Sequence, residues 1–299
     1  MGLVISTYHG DEETLAGIDD SLQERLGGGP PLSCGMRGGL GGIAIYAASR
    51  YRTNPALGDA VVRQLDLRAV RQNRTLSWPI SAEYARQQSL DVLAEPIYQP
   101  GMAHGHAGIL AGLTAMANAG HAHARDLLEP SLNWLRDMAA LGDDDNRFAW
   151  AFFGDFESGQ RKRLNVNTWC TGDPGVLIAS FWAQHVLEKR MSGWVADLAD
   201  RVAREIGAGR RAGMADRIDL CCGMSSVGNI CLRLFEQTAE AIFHQAALRC
   251  FADAEGARST LQSNGLQYGR AGVSLALRSL ESGASRKWDR FFGMSLPDV

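Results

Sequence analysis

The sequence predicts an all-α protein built as an α/α toroid, a double ring of inner and outer helices. Three observations carry that expectation. One glycine-led turn recurs five times, each copy opening an apolar stretch of helical length: GLGGIAIYAA from Gly39, GHAGILAGLTAM from Gly105, GDPGVLIASFWA from Gly172, GMSSVGNICLRLF from Gly223 and GRAGVSLALRSL from Gly269. Amphipathic helical patterns fall between the copies. Strand-like alternation never persists. The repeated stretches are apolar around most of their circumference and suit inner helices, whereas the amphipathic ones suit an outer layer. The five turns then meet at one mouth of the ring.

Along the chain, residues 1–31 read as an N-terminal arm, closed by GGGPP at its end, and residues 32–299 as the toroid domain. Within the arm, residues 3–7 are compatible with an extended segment and 19–26 with a helix. Helix formers at helical apolar spacing follow at 55–70, 81–94, 125–141, 191–207, 238–254 and 284–292. The first two intervals between turns are longer than the last two and are expected to hold extra elements. Residues 143–160, DDDNRFAWAFFGDFESGQ, are the best candidate for a long mouth loop. Asp173 followed by Pro174 reads as a helix N-cap with proline at the first helical position.

Composition limits the function. The chain has 299 residues, 45% of them hydrophobic and 21% charged, which suits a soluble globular protein. A formal net charge of −3 and the lack of any basic run argue against a nucleic-acid-binding body. The N-terminal MGLVISTYHGDEETL has no basic start and no long apolar core, so it does not read as a signal peptide. No uncharged apolar run reaches membrane-spanning length. A cytoplasmic location is expected.

The chemistry gathers at the turns. Cys221 and Cys222 stand just before Gly223, Cys170 two residues before Gly172, and His104 just before Gly105. Zinc favours tetrahedral sulfur and nitrogen ligands, and a catalytic site keeps one position open. Cys170, Cys221 and Cys222 are therefore candidate Zn²⁺ ligands; the competing readings are three buried thiols or a strained vicinal disulfide. Cys231 and Cys250 lie inside apolar helical patterns and are expected to be core thiols, while Cys34 sits in a glycine-rich turn. His104 is the candidate general acid or base. His106 is a second candidate or a capping group, and His121 and His123 are expected to be solvated. Arg37, Thr171, Tyr268 and Arg270 occupy mouth positions and either line a substrate cleft or form a solvated rim.

Taken in order, AHGHAG (103–108), WCTGDPG (169–175) and LCCG (220–223) resemble the LanC family of lanthionine synthetase cyclases, and the outlying GLGG and YGRAG turns extend the resemblance from about residue 33 to residue 282. The resemblance implies an α/α toroid with a catalytic zinc at its mouth. Because LCCG stands where LCHG is usual, it points to the subgroup with three cysteine ligands. It implies addition of peptide cysteine thiols across dehydroalanine or dehydrobutyrine to form thioether rings, with His104 handling the proton. The implied partners are a dehydrated precursor peptide and a dehydratase. The alternatives are thiol addition to dehydrated proteins and a zinc-stabilised, non-catalytic scaffold that binds peptide or dehydratase. The chain departs from the family pattern at four places: Thr171 where Tyr is usual, Val166 where Arg is frequent, Gly35 where an acid is frequent, and Ser226 where a second glycine is expected.

Overall fold

Each of the five glycine-led stretches forms a helix. The computed structural model describes residues 11–28, 32–141, 147–154, 159–164, 168–191, 193–209, 217–281 and 287–297. The extended reading of residues 3–7, Val166 and the acidic run at 143–145 lie outside them. The inner helices are α2 (Leu40–Arg50), α5 (His106–Asn118), α8 (Asp173–Val186), α10 (Met224–Thr238) and α12 (Arg270–Arg278). They pack in chain order, α2 on α5, α5 on α8, α8 on α10 and α10 on α12. Outside them run α1 (Glu12–Gly28), α3 (Pro55–Arg68), α6 (Ala122–Asp126) with α7 (Leu128–Leu141), α9 (Trp194–Gly207) and α11 (Ala241–Gly256). No helix of the described residues is long and apolar enough to cross a membrane.

The inner helices start without side-chain caps, and the turns themselves supply the missing acceptors. Leu40 N donates to Ser33 O at 2.9 Å, His106 N to Gln99 O at 2.8 Å, Met224 N to Arg217 O at 3.0 Å and Arg270 N to Ser263 O at 2.9 Å, the same seven-residue step each time. Backbone carbonyls thus satisfy N–H groups that a helix start leaves open. The step folds the chain tightly, and glycine permits it. A Cβ at Gly42, Gly108, Gly175 or Gly272 would sit 1.9–2.2 Å from the carbonyl oxygen of Met36, Met102, Trp169 or Leu266. The turns then bond to one another: Arg37 N to Ala103 O at 2.8 Å, Ala103 N to Cys170 O at 3.0 Å and Cys221 N to Gln267 O at 3.2 Å.

Residues 12–28 are longer as a helix than the sequence pattern implies, and they dock on the ring. Buried Asp19 accepts from Tyr46 Oη at 2.6 Å, Arg50 Nε at 3.2 Å and Asn54 Nδ2 at 3.1 Å. The longer early intervals do hold extra elements. The first contains the hairpin of β1 (Val70–Gln72) and β2 (Thr75–Ser77), the short α4 (Ala82–Gln87) and β3 (Ile97–Tyr98). The second contains β4 (Trp150–Phe153) and β5 (Gln160–Arg163), which complete an antiparallel sheet in the order β3-β4-β5. The stretch read as a mouth loop at 143–160 therefore contributes a strand, and the helix expected over 81–94 stops at Gln87. The helix expected over 125–141 divides at Leu127.

The C-terminal segment is the largest departure. Instead of an outer helix over 284–292, a 3₁₀ turn at Lys287–Phe292 enters the centre of the ring. Its Phe292 and Met294 carbonyls accept from Trp169 Nε1 at 2.7 Å and Trp182 Nε1 at 2.8 Å. Gly293 lies against Met36, Ala111 and Ile45, and fully buried Asp289 accepts from Arg233 Nε at 2.6 Å and Asn229 Nδ2 at 3.0 Å. Apolar Trp288, Phe292 and Met294 give the segment more to bury along the axis than an outer helix would.

Gly42→Ala places a Cβ on a backbone carbonyl that cannot move without opening the turn, and we expect a loss of about 3 kcal/mol in urea unfolding. At Gly17, in the exposed interior of α1, an added Cβ would meet nothing within 4 Å, so Gly17→Ala should gain about 0.5–1 kcal/mol in the same measurement.

Candidate metal centre at the mouth

The two residues before each turn glycine lie where the turns bond to one another, which brings neighbouring pairs together. In chain order these pairs are Arg37 and Gly38, Ala103 and His104, Cys170 and Thr171, Cys221 and Cys222, and Gln267 and Tyr268. The third and fourth pairs bring three thiols together. The sulfurs of Cys170, Cys221 and Cys222 all lie within 4.8 Å of one another, and Cys170 Sγ is 3.1 Å from Cys222 Sγ. All three are free thiols, so the vicinal disulfide reading is set aside. Ligands about 2.3 Å from a tetrahedral zinc stand about 3.8 Å apart, so this donor set fits that ion.

A buried carboxylate shapes the double-cysteine turn. Asp219 Oδ1 accepts from the N–H groups of both Cys221, at 2.9 Å, and Cys222, at 2.8 Å. Its other oxygen pairs with Arg217 at 2.9 Å. This lets adjacent side chains turn toward one point, which a regular helix would not allow. It also accompanies the change at Ser226, whose hydroxyl donates to Gly223 O at 2.8 Å instead of leaving the space of a second glycine. Asp219 stands four residues before its turn glycine, and the sequence pattern does not single it out.

The electrostatics favour one ionised thiol among three. Hydrogen bonds from Cys170 and then Cys222, with further ones from Tyr268 and Gln267, hold the Cys221 thiol far below its ordinary range. The same contacts push Cys222 up, and the bond to Cys221 is the main cause that raises Cys170. Three thiolates in this half-buried space require a cation to balance them.

Arg37, Tyr268 and Cys221 form a chain. Arg37 Nη1 donates to Tyr268 Oη at 2.7 Å, and that hydroxyl is 3.5 Å from Cys221 Sγ. Gln267 Nε2 donates to the same sulfur at 3.4 Å. The guanidinium groups of Arg37 and Arg217 stand 5.7 and 5.9 Å from the Tyr268 ring centre. Thr171 Oγ1 is 3.8 Å from Cys170 Sγ. Arg270 is exposed in the first turn of α12.

The two histidines separate. His104 is half-buried, with Nδ1 2.8 Å from Tyr84 Oη. Burial and then the Arg37 charge lower its imidazole to about 4, against the opposing pull of Cys221, so it is neutral at pH 7. His106 does not line the mouth. It is the first residue of α5 and turns into the core, stacked 4.4 Å from Trp134, with Nε2 2.8 Å from Ser131 Oγ. Burial lowers it to about 3. His121 is also buried, its Nδ1 accepting from Ala124 N at 3.2 Å to cap α6, while His123 lies half exposed, 3.3 Å from Asp66. Asp173 is not an N-cap: Gly172 holds that place, and Asp173 accepts from Phe148 N at 2.8 Å and Arg201 Nη2 at 2.6 Å. Cys231 and Cys250 are core thiols as expected, and Cys34 is buried beside Arg68.

Comparison with known proteins agrees with the fold. A family model described as lanthionine synthetase C-like protein matches residues 11–293. Among solved structures, the chain is similar to one titled nisin cyclase, with a TM-score of 0.74 and 16% identity over 98% of this chain and 76% of that one. No curated protein matches in sequence.

His106 makes stability depend on pH. Its folded-state value of about 3 lies below the ordinary 6.5, so below pH 6.5 the unfolded chain takes up a proton that the folded chain refuses. Stability contributed by this site falls by about 1.4 kcal/mol per pH unit between about 6.5 and 3. Urea unfolding at pH 6.5, 5.5 and 4.5 should show a shallower acid loss for His106→Gln than for the wild type; parallel slopes would contradict the assignment.

Proposed function

The chain belongs to the lanthionine synthetase C-like family, and from that premise we propose that it is a zinc-dependent peptide cyclase. It would add cysteine thiols of a dehydrated precursor peptide to dehydroalanine or dehydrobutyrine residues and so close thioether rings. A dehydratase that makes those alkenes is the implied partner, and the cytoplasm the implied location. The observation that carries the reading is the convergence of Cys170, Cys221 and Cys222 with His104 on one mouth.

In this reading Cys170, Cys221 and Cys222 would hold zinc beside the substrate. Bound there, zinc would supply Lewis acidity that favours the thiolate form of the incoming thiol. The residues of the chain account for the rest. His104, neutral at pH 7, takes the S–H proton as the sulfur bonds to the β-carbon. The alkene π pair moves to the α-carbon and onto the adjoining carbonyl, and His104 returns the proton to the α-carbon. The thiol is thereby added with no atom gained or lost. Arg37 and the Tyr268 hydroxyl supply positive charge and a hydrogen-bond donor beside Cys221, where the enolate needs stabilising. Asp219 keeps the two neighbouring sulfurs aimed together.

Metal analysis tests the ligand set. We expect one zinc per chain, lost in Cys170→Ala, Cys221→Ala and Cys222→Ala and unchanged in Cys34→Ala. Stoichiometric zinc in Cys222→Ala would point to another ligand.

Activity tests the role of His104. With a dehydrated peptide, cyclisation is read by alkylating the remaining thiols and weighing the product, because ring closure leaves mass unchanged. His104→Ala should keep its zinc and lose about 10²–10⁴-fold in rate. A fully active variant would remove His104 from the mechanism. A wild-type chain that binds zinc and peptide without closing rings would support a binding scaffold instead.

A further inference from the structure

Tyr84 belongs to none of the five turns. It stands on α4, in the insertion between the first two inner helices, and is fixed there by its own N–H, which donates to the N-cap hydroxyl of Ser81 at 3.1 Å. Its ring meets the His104 imidazole edge-on at 5.9 Å. Its hydroxyl is 2.8 Å from His104 Nδ1 and 3.4 Å from the Arg37 carbonyl oxygen, with the Ser33 side chain also beside it.

The 2.8 Å contact occupies Nδ1 whichever atom donates. An imidazole has two ring nitrogens, so Nε2 is the one left to exchange a proton with another molecule. The phenol, held on α4 through Ser81, thereby fixes the orientation of the ring, the service a hydrogen-bonded partner gives a working histidine elsewhere.

We propose that Tyr84 is a positioning residue that holds His104 through Nδ1 and makes Nε2 the nitrogen that exchanges protons with substrate. The role of that proton rests on the cyclase reading; the hydrogen bond at Nδ1 does not. The structure also explains why the orienting group comes from the insertion. A Cβ at Gly35 would meet the His104 backbone carbonyl carbon at 2.7 Å, so a side chain from that part of the first turn has no room beside His104. Tyr84 approaches from α4 instead and supplies the hydroxyl.

The test is long-range ¹H–¹⁵N correlation on the full-length, zinc-loaded protein labelled at histidine, at pH 7, with His104→Gln used to assign the signals. Tyr84→Phe keeps the ring and loses only the hydroxyl. It should move the His104 Nδ1 signal, with zinc content unchanged, and its kcat should fall about 10-fold or more at constant KM because the imidazole is no longer held. An Nδ1 signal that is the same in both proteins, or an unchanged kcat, would overturn the proposal. If Nδ1 shifts as stated but the wild type closes no rings on a dehydrated peptide, the cyclase reading fails and the assignment of Tyr84 stands.

Discussion

The close approach of each turn to the start of its own helix governs this structure. In four of the five turns a helical glycine packs within 1.9–2.2 Å, measured from where its Cβ would be, of a carbonyl six residues earlier. The first N–H groups of the helices are satisfied by the same turns. One geometry is therefore imposed at four of the five inner helices, and neighbouring turns can bond to one another in register. The residues before the leading glycines are thereby brought together, and the chemistry of the mouth is set by which side chains occupy these equivalent places.

The fourth turn departs from that geometry where the thiols need it to. Ser226 replaces the second glycine, and Asp219 ties down both cysteine N–H groups. A buried carboxylate paired with Arg217 thus holds two adjacent sulfurs toward Cys170. Without a cation, only one of the three thiols ionises readily, and Cys221 is the one favoured by its hydrogen bonds. A metal that accepts three thiolates relieves this conflict, which is the physical basis of the zinc proposal. Two residues complete the surroundings of the mouth: Tyr84, from an insertion beside His104, and Arg217, from the start of the fourth turn, beside the ring of Tyr268.

The ring and its metal-ready thiols were legible in the sequence because both follow from repetition. Five glycine-led stretches announced five inner helices, and equivalent spacing put Cys170, Cys221, Cys222 and His104 at one mouth. The strands were not legible, since segments of two to four residues show no sustained alternation. The C-terminal plug was read as an outer helix because its apolar spacing cannot reveal that it enters the ring axis. His106, two residues from His104, differs in fate because its place in the first turn of the helix aims it toward Trp134 and Ser131. Asp219 and Tyr84 act through backbone N–H groups and a ring nitrogen, contacts that only the folded chain brings together.

The central claim is that three sulfurs from two neighbouring turns form one metal centre with a fourth position open. Zinc-edge X-ray absorption on the purified protein tests it most directly. The expected result is three sulfur scatterers at about 2.3 Å and one lighter atom that is exchanged for sulfur when a small thiol is added. A first shell with two sulfurs or fewer, or one that a thiol leaves unchanged, would contradict it.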